Sequence, residues 1–192
     1  TSMKLTQVKG STWVIEANQL IPLYDPGDGR CILLDTGLLE EREELERTLL
    51  DNGLTPARVL CSHAHIDHCA NNGYFQEKYG TEVALTFPEA GMCANALTLK
   101  CYFLTLSPGT VEREAAAMIH EPDYFIPPND GPFTLGGVKF QIIQTPGHSA
   151  GHICTVTPDN VCYTADALLS GELLNAKLPY NLSHQMAIHS RE

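Results

Sequence analysis

The sequence lacks any long apolar run. Its strongly apolar stretches are only a few residues long, as from Cys31 to Leu34, whereas a helix that crosses a bilayer needs about 20 apolar residues. It also lacks a basic start followed by an apolar stretch, which is the pattern of a secretory signal peptide. We therefore expect a protein that does not span a membrane, is not exported by that route and resides in the cytoplasm.

Basic residues are scarce. Twelve Lys and Arg stand against 23 Asp and Glu, which gives a formal net charge of −11. Binding to nucleic acids and to anionic lipid headgroups depends largely on cationic side chains. We therefore expect neither nucleic acid nor a membrane surface among the partners, and some of the carboxylates are candidates for binding metal cations.

Paired cysteine motifs are absent as well. The seven cysteines are an odd number, and no two of them form a C-x-x-C pair. Disulfide frameworks and cysteine-type zinc fingers need such pairing. The pattern indicates a reducing compartment in which the thiols are packed.

The order of the predicted elements indicates one α/β domain over residues 1–192. A turn at 25–29 joins two β-like runs, and Gly53 ends a helix predicted over 40–52. Helical residues are also predicted over 69–79, and residues 88–128 form a helical insert with helices over 89–99 and 107–120. The remaining β-like segments are residues 4–9, 12–16, 30–35, 59–61, 81–87, 138–144, 152–157 and 161–164.

A first histidine cluster follows the predicted strand at 59–61. Its sequence is Ser62-His63-Ala64-His65-Ile66-Asp67-His68. In extended chain His63 and His65 point to the same side, and a helix that starts near Ile66 turns Asp67 and His68 toward the same edge. These four side chains then serve two adjacent positions, and imidazole and carboxylate are ligands of zinc, iron and related ions. The alternative is that the histidines are solvated turn residues and that Asp67 is a helix N-cap.

A second cluster lies near the end of the chain. His148 stands in a Pro-Gly turn, and Asp166 follows it by 18 residues at the end of a β-like segment. A lone aspartate there is usually a turn residue, but here it supplies the anion that would bridge two dications. His152, at the start of the next strand, is expected to be packed or hydrogen-bonded.

Together these motifs closely resemble the metallo-β-lactamase-fold hydrolases, from about residue 8 to the end, with Leu33-Leu34-Asp35-Thr36-Gly37 and residues 131–137 also matching. The resemblance implies an αββα sandwich of two mixed β-sheets flanked by helices, with a metal site at one edge. It implies that Asp35 orients a ligand. It also implies the ligands: His63, His65 and His148 for the first metal, Asp67 and His68 for the second, and Asp166 as the bridge.

The family normally carries a further histidine on the second metal, in a loop after a late helix and strand. After Asp166 only His184 and His189 remain, and residues 183–192 resemble the start of that helix. We therefore expect the last strand and helix of the domain to lie beyond residue 192, with the second metal weakly held or absent. His184 and His189 are then surface residues of the helix, and Cys69, one residue past the first cluster, is packed.

The resemblance implies a hydroxyacylglutathione hydrolase-like core that acts on a small molecule. Two divalent metal ions, zinc first with iron or manganese as alternatives, would share a hydroxide that attacks an ester, thioester, lactone or related bond. Asp67 is the expected catalytic residue, which orients the nucleophile or moves its proton. One alternative is a mononuclear iron oxygenase, similar to persulfide dioxygenases, that uses His63, His148 and Asp166. Another is an inactive, metal-poor fragment.

The insert at residues 88–128 has two interpretations of equal weight. Its aromatic residues, such as Tyr102 and Phe103, suit a lid over the substrate. An ordinary helical insert that covers the edge of the sheet or forms a homodimer contact explains the same sequence.

Overall fold

The protein is described here from a computed structural model, which describes residues 3–98, 109, 113, 116–168 and 183–191. It contains two β-sheets. The larger has seven strands in the order β1 to β7: Lys4–Lys9, Thr12–Glu16, Leu20–Tyr24, Arg30–Leu33, Thr55–Leu60, Glu82–Thr86 and Tyr124–Ile126. The smaller has the order β11-β10-β9-β8, formed by Cys162–Tyr163, Ile153–Val156, Val138–Gln144 and Gly131–Leu135.

Four of the described helices follow strands of the larger sheet, and a fifth lies near the end of the chain. They are α1 (Arg42–Asp51), α2 (Ile66–Cys69), α3 (Asn72–Tyr79), α4 (Phe87–Met92) and, near the end, α5 (His184–His189). None of the helices in the described part of the chain is long and apolar enough to cross a membrane.

The first half of the larger sheet is antiparallel and the second half is parallel. Strands β1 to β4 pair antiparallel, and β4 to β7 pair parallel. The β3–β4 hairpin turns where the sequence predicts it, with Gly27 and Gly29 at φ values of +95° and +77°, which glycine adopts at little cost. The Asp25 carboxylate accepts the Gly27 N–H at 2.8 Å. The described strands of the smaller sheet are all antiparallel.

Two apolar clusters hold the layers together. One lies between the larger sheet and its helices and includes Leu45 and Leu49 of α1. The other lies between the two sheets and includes Phe140 and Ile142. Along β4 the side chains alternate between the two clusters. Burial on both faces explains why this strand is a continuous apolar run.

The predicted fold of two β-sheets with helices is confirmed. The helix predicted over 69–79 is instead two helices, α2 and α3, which residues 70–71 separate. Within the predicted insert, α4 ends at Met92, and residues 96–98 and 116–118 are helical. The described residues 93–95 and 119–120 are not helical, so the first predicted helix is interrupted and the second ends earlier than predicted. Residues 109 and 113 are helical, and the other residues of the two predicted helices lie outside the described part of the chain.

The insert also contains a strand that the sequence pattern does not predict. Residues Tyr124–Ile126 form β7, which pairs parallel with β6. Three residues are too short to show an alternating pattern, so only the neighbouring strand determines this structure.

Candidate metal centre

The six predicted ligands lie together where strands of both sheets end. His63 and His65 follow β5, and Asp67 and His68 lie on α2. The turn between β9 and β10 carries His148. Asp166 lies in a 3-10 turn, Ala165–Ala167, directly after β11. The site therefore draws on elements of both sheets.

The potential ligand atoms form two groups that share one residue. In each group the atoms lie within 4.8 Å of one another; the groups are His63, His65, His148 and Asp166, and Asp67, His68 and Asp166. This is the division that the resemblance implies. Asp35, His63 and His68 form a third such group.

Asp166 stands at the centre of the histidines. Its Oδ2 atom lies 3.0 Å from His148 Nε2, 3.3 Å from His68 Nε2 and 3.5 Å from His63 Nε2. Although burial opposes ionisation, these imidazoles hold the pKa of Asp166 well below its usual range. The shared group is thus a carboxylate at neutral pH.

Asp35 sets the orientation of His68. Its carboxylate accepts the Ser62 N–H at 2.6 Å, the Ser62 hydroxyl at 2.6 Å and the Tyr163 hydroxyl at 2.7 Å. The Nδ1 atom of His68 lies 2.7 Å from the same carboxylate. Because a carboxylate only accepts, Nδ1 carries a proton. His68 Nε2 is then the atom that faces Asp166 and can take a proton or a metal ion.

Ser62 extends this control to His63. Its hydroxyl hydrogen goes to Asp35, so the Ser62 oxygen accepts from His63 Nδ1 at 2.9 Å. His63 Nε2 is then a lone-pair donor that faces the centre. The Nε2 atoms of His63 and His68 are buried and form no hydrogen bond. Buried polar atoms without partners are rare, and a cation would satisfy both, so the residues present fit a metal ion.

The pKa values differ across the cluster. Burial and neighbouring imidazoles lower the pKa of His65 to about 3, and burial lowers the pKa of His63 well below its usual value. Both are neutral at pH 7, as metal ligation requires. For His68 burial acts in the same direction, but Asp35 and Asp166 outweigh it and raise the pKa.

Asp67 is the most exposed of the carboxylates at the centre, with 26% of its side chain accessible. Burial raises its pKa, but the contact with His68 prevails and lowers it. Its Oδ2 atom accepts a hydrogen bond from Gln19 Nε2 at 2.9 Å. Asp67 is therefore an ionised group held at the mouth of the site. No pattern in the sequence connects Gln19 to the histidines.

His152, His189 and Cys69 belong to none of the groups of potential ligands found among the described residues. His152 is buried, its Nδ1 lies 2.8 Å from Thr145 Oγ1, and its ring packs 4.7 Å from that of His63. Cys69 is fully buried, as expected. His184 begins α5 and His189, an exposed residue, ends it. Nothing is described of the His184 side chain.

A groove of about 460 Å³ leads away from His68 and Asp166. Its walls are mostly apolar and come from the N-terminal strands and from the residues around β11: Val8, Val14, Leu20, Pro22, Val161 and Leu168. No lysine, arginine or glutamate lines it among the residues that the structure describes. The groove therefore suits an uncharged, apolar group beside the cluster.

Comparisons with known proteins show the family to which the chain belongs. A family model described as the metallo-beta-lactamase superfamily matches residues 6–192. The chain is 26% identical over 162 residues to a hydroxyacylglutathione hydrolase of Mesorhizobium japonicum, covering 82% of this chain and 51% of that protein. It is 26% identical over 186 residues to the acyl-coenzyme A thioesterase MBLAC2 of Homo sapiens, covering 90% and 63%. The chain thus spans only part of the length of these relatives.

A solved structure with the same fold is the native FEZ-1 metallo-beta-lactamase from Legionella gormanii. The TM-score is 0.71 at 15% identity, and the match covers 98% of this chain and 74% of that one. At this identity the likeness concerns the fold alone.

Proposed function

We propose that this chain, which belongs to the metallo-beta-lactamase superfamily, is a metal-dependent hydrolase that holds two divalent metal ions. The observation that carries the proposal is the position of Asp166. Its carboxylate belongs to both groups of potential ligands, beside two buried imidazole nitrogens that form no hydrogen bond. A shared carboxylate between two sets of nitrogen and oxygen ligands suits a two-metal site.

The two positions use different residues. His63, His65 and His148 would hold the first ion, Asp67 and His68 the second, and Asp166 both. Zinc suits a set of imidazole and carboxylate ligands, and iron or manganese are alternatives. When bound, such ions supply a Lewis acid and lower the pKa of water, so that a nucleophile is available at neutral pH.

A side chain of the protein itself can orient the attacking water and transfer its proton. Asp67 is ionised and is held by Gln19, so it can accept the proton of the attacking water and pass it to the leaving group. Within hydrogen-bond reach of the reacting atoms, a carboxylate in this role contributes typically 10²–10⁴-fold to the rate.

The substrate we propose is a small acyl compound with an apolar acyl part and a thioester, ester or lactone bond. The apolar groove beside His68 and Asp166 suits the acyl part, because burial of apolar surface favours binding by about 25 cal/mol per Å². The lack of basic residues among the described lining argues against an anionic group in the groove. A thioesterase is also among the named relatives.

The test combines metal analysis with a series of substrates. Chelator-treated protein should be inactive and should regain hydrolysis of neutral thioesters when zinc is added, with kcat/KM rising as the acyl chain lengthens. Asp67→Asn should lower kcat by 10²-fold or more, whereas Asp159→Asn, which alters a carboxylate bonded to Ser11 and Thr12, should not. Metal binding that is unchanged by a combined His63→Ala and His148→Ala replacement would refute the proposal.

Elemental analysis of the purified protein separates the alternatives that the sequence leaves open. Two zinc or manganese ions per chain support the hydrolase. One iron with oxygen consumption supports the mononuclear iron oxygenase instead, and the absence of any bound metal supports the metal-poor fragment.

A further inference from the structure

A buried glutamate joins the two loops that carry the first metal's ligands. Glu89 lies on α4 and is fully buried. Its Oε1 atom accepts the backbone N–H of Ala64 at 3.3 Å and a short hydrogen bond from the Ser149 hydroxyl. Ala64 stands between His63 and His65, and Ser149 directly follows His148. One oxygen atom therefore contacts both loops.

The same helix also fixes the far end of the second loop. The Thr86 hydroxyl donates to the Gly151 carbonyl at 2.9 Å. A Cβ atom on Gly151 would lie 2.2 Å from Thr86 Oγ1 and 3.2 Å from Glu89 Cγ. The loop is thus packed so closely against the junction of β6 and α4 that a side chain at Gly151 would force Thr86 or Glu89 to move.

The arrangement requires an acceptor at this position. The Ala64 N–H and the Ser149 hydroxyl converge on it, and a buried donor that is left without a partner destabilises the fold. The second oxygen, Oε2, is buried and forms no hydrogen bond. The contacts that link the loops therefore use Oε1 alone. Burial raises the pKa of the Glu89 carboxyl group, which fits a group that acts as an acceptor and not through its charge.

We propose that Glu89 is a positioning residue of the metal centre, whose Oε1 atom sets the separation between the His63–His65 loop and the His148 loop. Glu89 itself takes no part in binding the ion. The inference rests on the proposed metal-binding function. Partners that orient metal ligands typically change metal affinity 10–100-fold when they are replaced.

The test uses two replacements of similar size and zinc alone as the probe. Glu89→Met keeps the volume and removes the acceptor, so it should weaken binding of the first zinc about 10–100-fold. Glu89→Gln can keep a carbonyl oxygen at the Oε1 position, so it should rescue binding to within about threefold of the wild type. Affinity is measured by competition with a chromophoric chelator, and the visible spectrum of the cobalt-substituted protein reports the ligand geometry.

A matched control is Glu46→Met. Glu46 accepts hydrogen bonds from Tyr74 and Tyr79 and contacts neither histidine loop in the described structure. It should bind zinc like the wild type and leave the cobalt spectrum unchanged.

The outcomes separate the two levels of the proposal. A wild-type protein that binds no zinc refutes the proposed function. If the wild type binds zinc, equal affinity in Glu89→Met, or an equal loss in Glu89→Gln and Glu89→Met, overturns the role of Glu89. Should Glu89→Met fail to fold, Ser149→Ala removes one of the donors and should weaken zinc binding severalfold. Unchanged binding in that variant also overturns the inference.

Discussion

Replacement of Asp35 by asparagine tests how the protein chooses the histidine tautomers. Asp35 has a φ of +83°, a left-handed conformation that asparagine tolerates well. The side chains are also nearly the same size, so the variant should fold. What changes is one oxygen, which becomes an NH₂ group.

The geometry indicates which hydrogen bond of residue 35 the replacement weakens most. If the remaining oxygen stays on the Ser62 N–H, the new amide faces the Ser62 hydroxyl, the Tyr163 hydroxyl and His68 Nδ1. The hydroxyls can rotate and accept. The imidazole can accept only if its proton moves from Nδ1 to Nε2, the atom that would otherwise bind the metal ion.

The size of the effect follows from the lost hydrogen bond. A hydrogen bond to a charged group contributes about 1.5–3 kcal/mol. Since 1.4 kcal/mol corresponds to a factor of ten, we expect affinity for the second metal to fall roughly 10- to 150-fold. Binding at the first position should change less, because His65 and His148 have no contact with Asp35 among the described hydrogen bonds.

The assay is a zinc titration of the chelator-treated protein, with ¹⁵N NMR of the imidazole groups to assign the tautomer of His68. Asp159→Asn is the matched control, since the Asp159 carboxylate accepts hydrogen bonds from the Ser11 N–H and the Thr12 hydroxyl and belongs to none of the groups of potential ligands. Unchanged zinc affinity in Asp35→Asn would refute the reasoning. So would weakened binding with the His68 proton still on Nδ1, because the loss would then have another cause.

Three further predictions concern stability, each measured by urea unfolding of the metal-free protein. Ala165 has a φ of +43°, a strained conformation for a residue with a Cβ atom, so Ala165→Gly should raise stability by about 1 kcal/mol. An unchanged or lower urea midpoint would show that the backbone of Ala165 is not strained. A Cβ atom on Gly147, whose φ is +137°, would lie 2.1 Å from the backbone of α5, so Gly147→Ala should cost at least about 1–3 kcal/mol, and a wild-type midpoint would show that α5 does not pack there. Burial lowers the pKa values of His65 and His152 to about 3. Because the unfolded chain then binds more protons between pH 3 and 6.5, stability should fall by about 2 kcal/mol per histidine from pH 8 to 5. His68, whose pKa is raised, opposes this, and a flat or reversed profile would contradict the prediction.

The ligand types were predictable because their spacing is a local property. His63 and His65 alternate in extended chain, and Asp67 and His68 follow on the first turn of a helix. The strand ends that carry them were also predictable, because β5 ends in the short apolar run 59–61 and β9 alternates between buried and exposed residues. The two adjacent positions and the bridging Asp166 followed from the residue pattern, whereas the assignment of His148 to the first position came from the resemblance.

The supporting contacts were not predictable from spacing because they join distant parts of the chain. Gln19 lies 48 residues from Asp67, and Tyr163 lies 128 residues from Asp35. From the sequence alone, Glu89 is interpreted as an ordinary acidic residue in the first turn of a helix. Its burial becomes evident only when α4 packs against the loop that begins 60 residues later, at Ser149.

The centre depends on the packing of one sheet against the other. The loop after β5 belongs to the larger sheet, whereas His148 and Asp166 come from the smaller one, and the Ile153 N–H donates directly across to the Ser62 carbonyl at 3.1 Å. The separation of the two loops thus follows from the apolar layer between the sheets, in which Phe140 packs, together with the contacts of Glu89. Since interiors are close-packed and resist small shifts, these contacts hold the ligands in place before a metal ion binds. A histidine motif specifies which atoms can ligate, but the distance between them is a property of the whole sandwich.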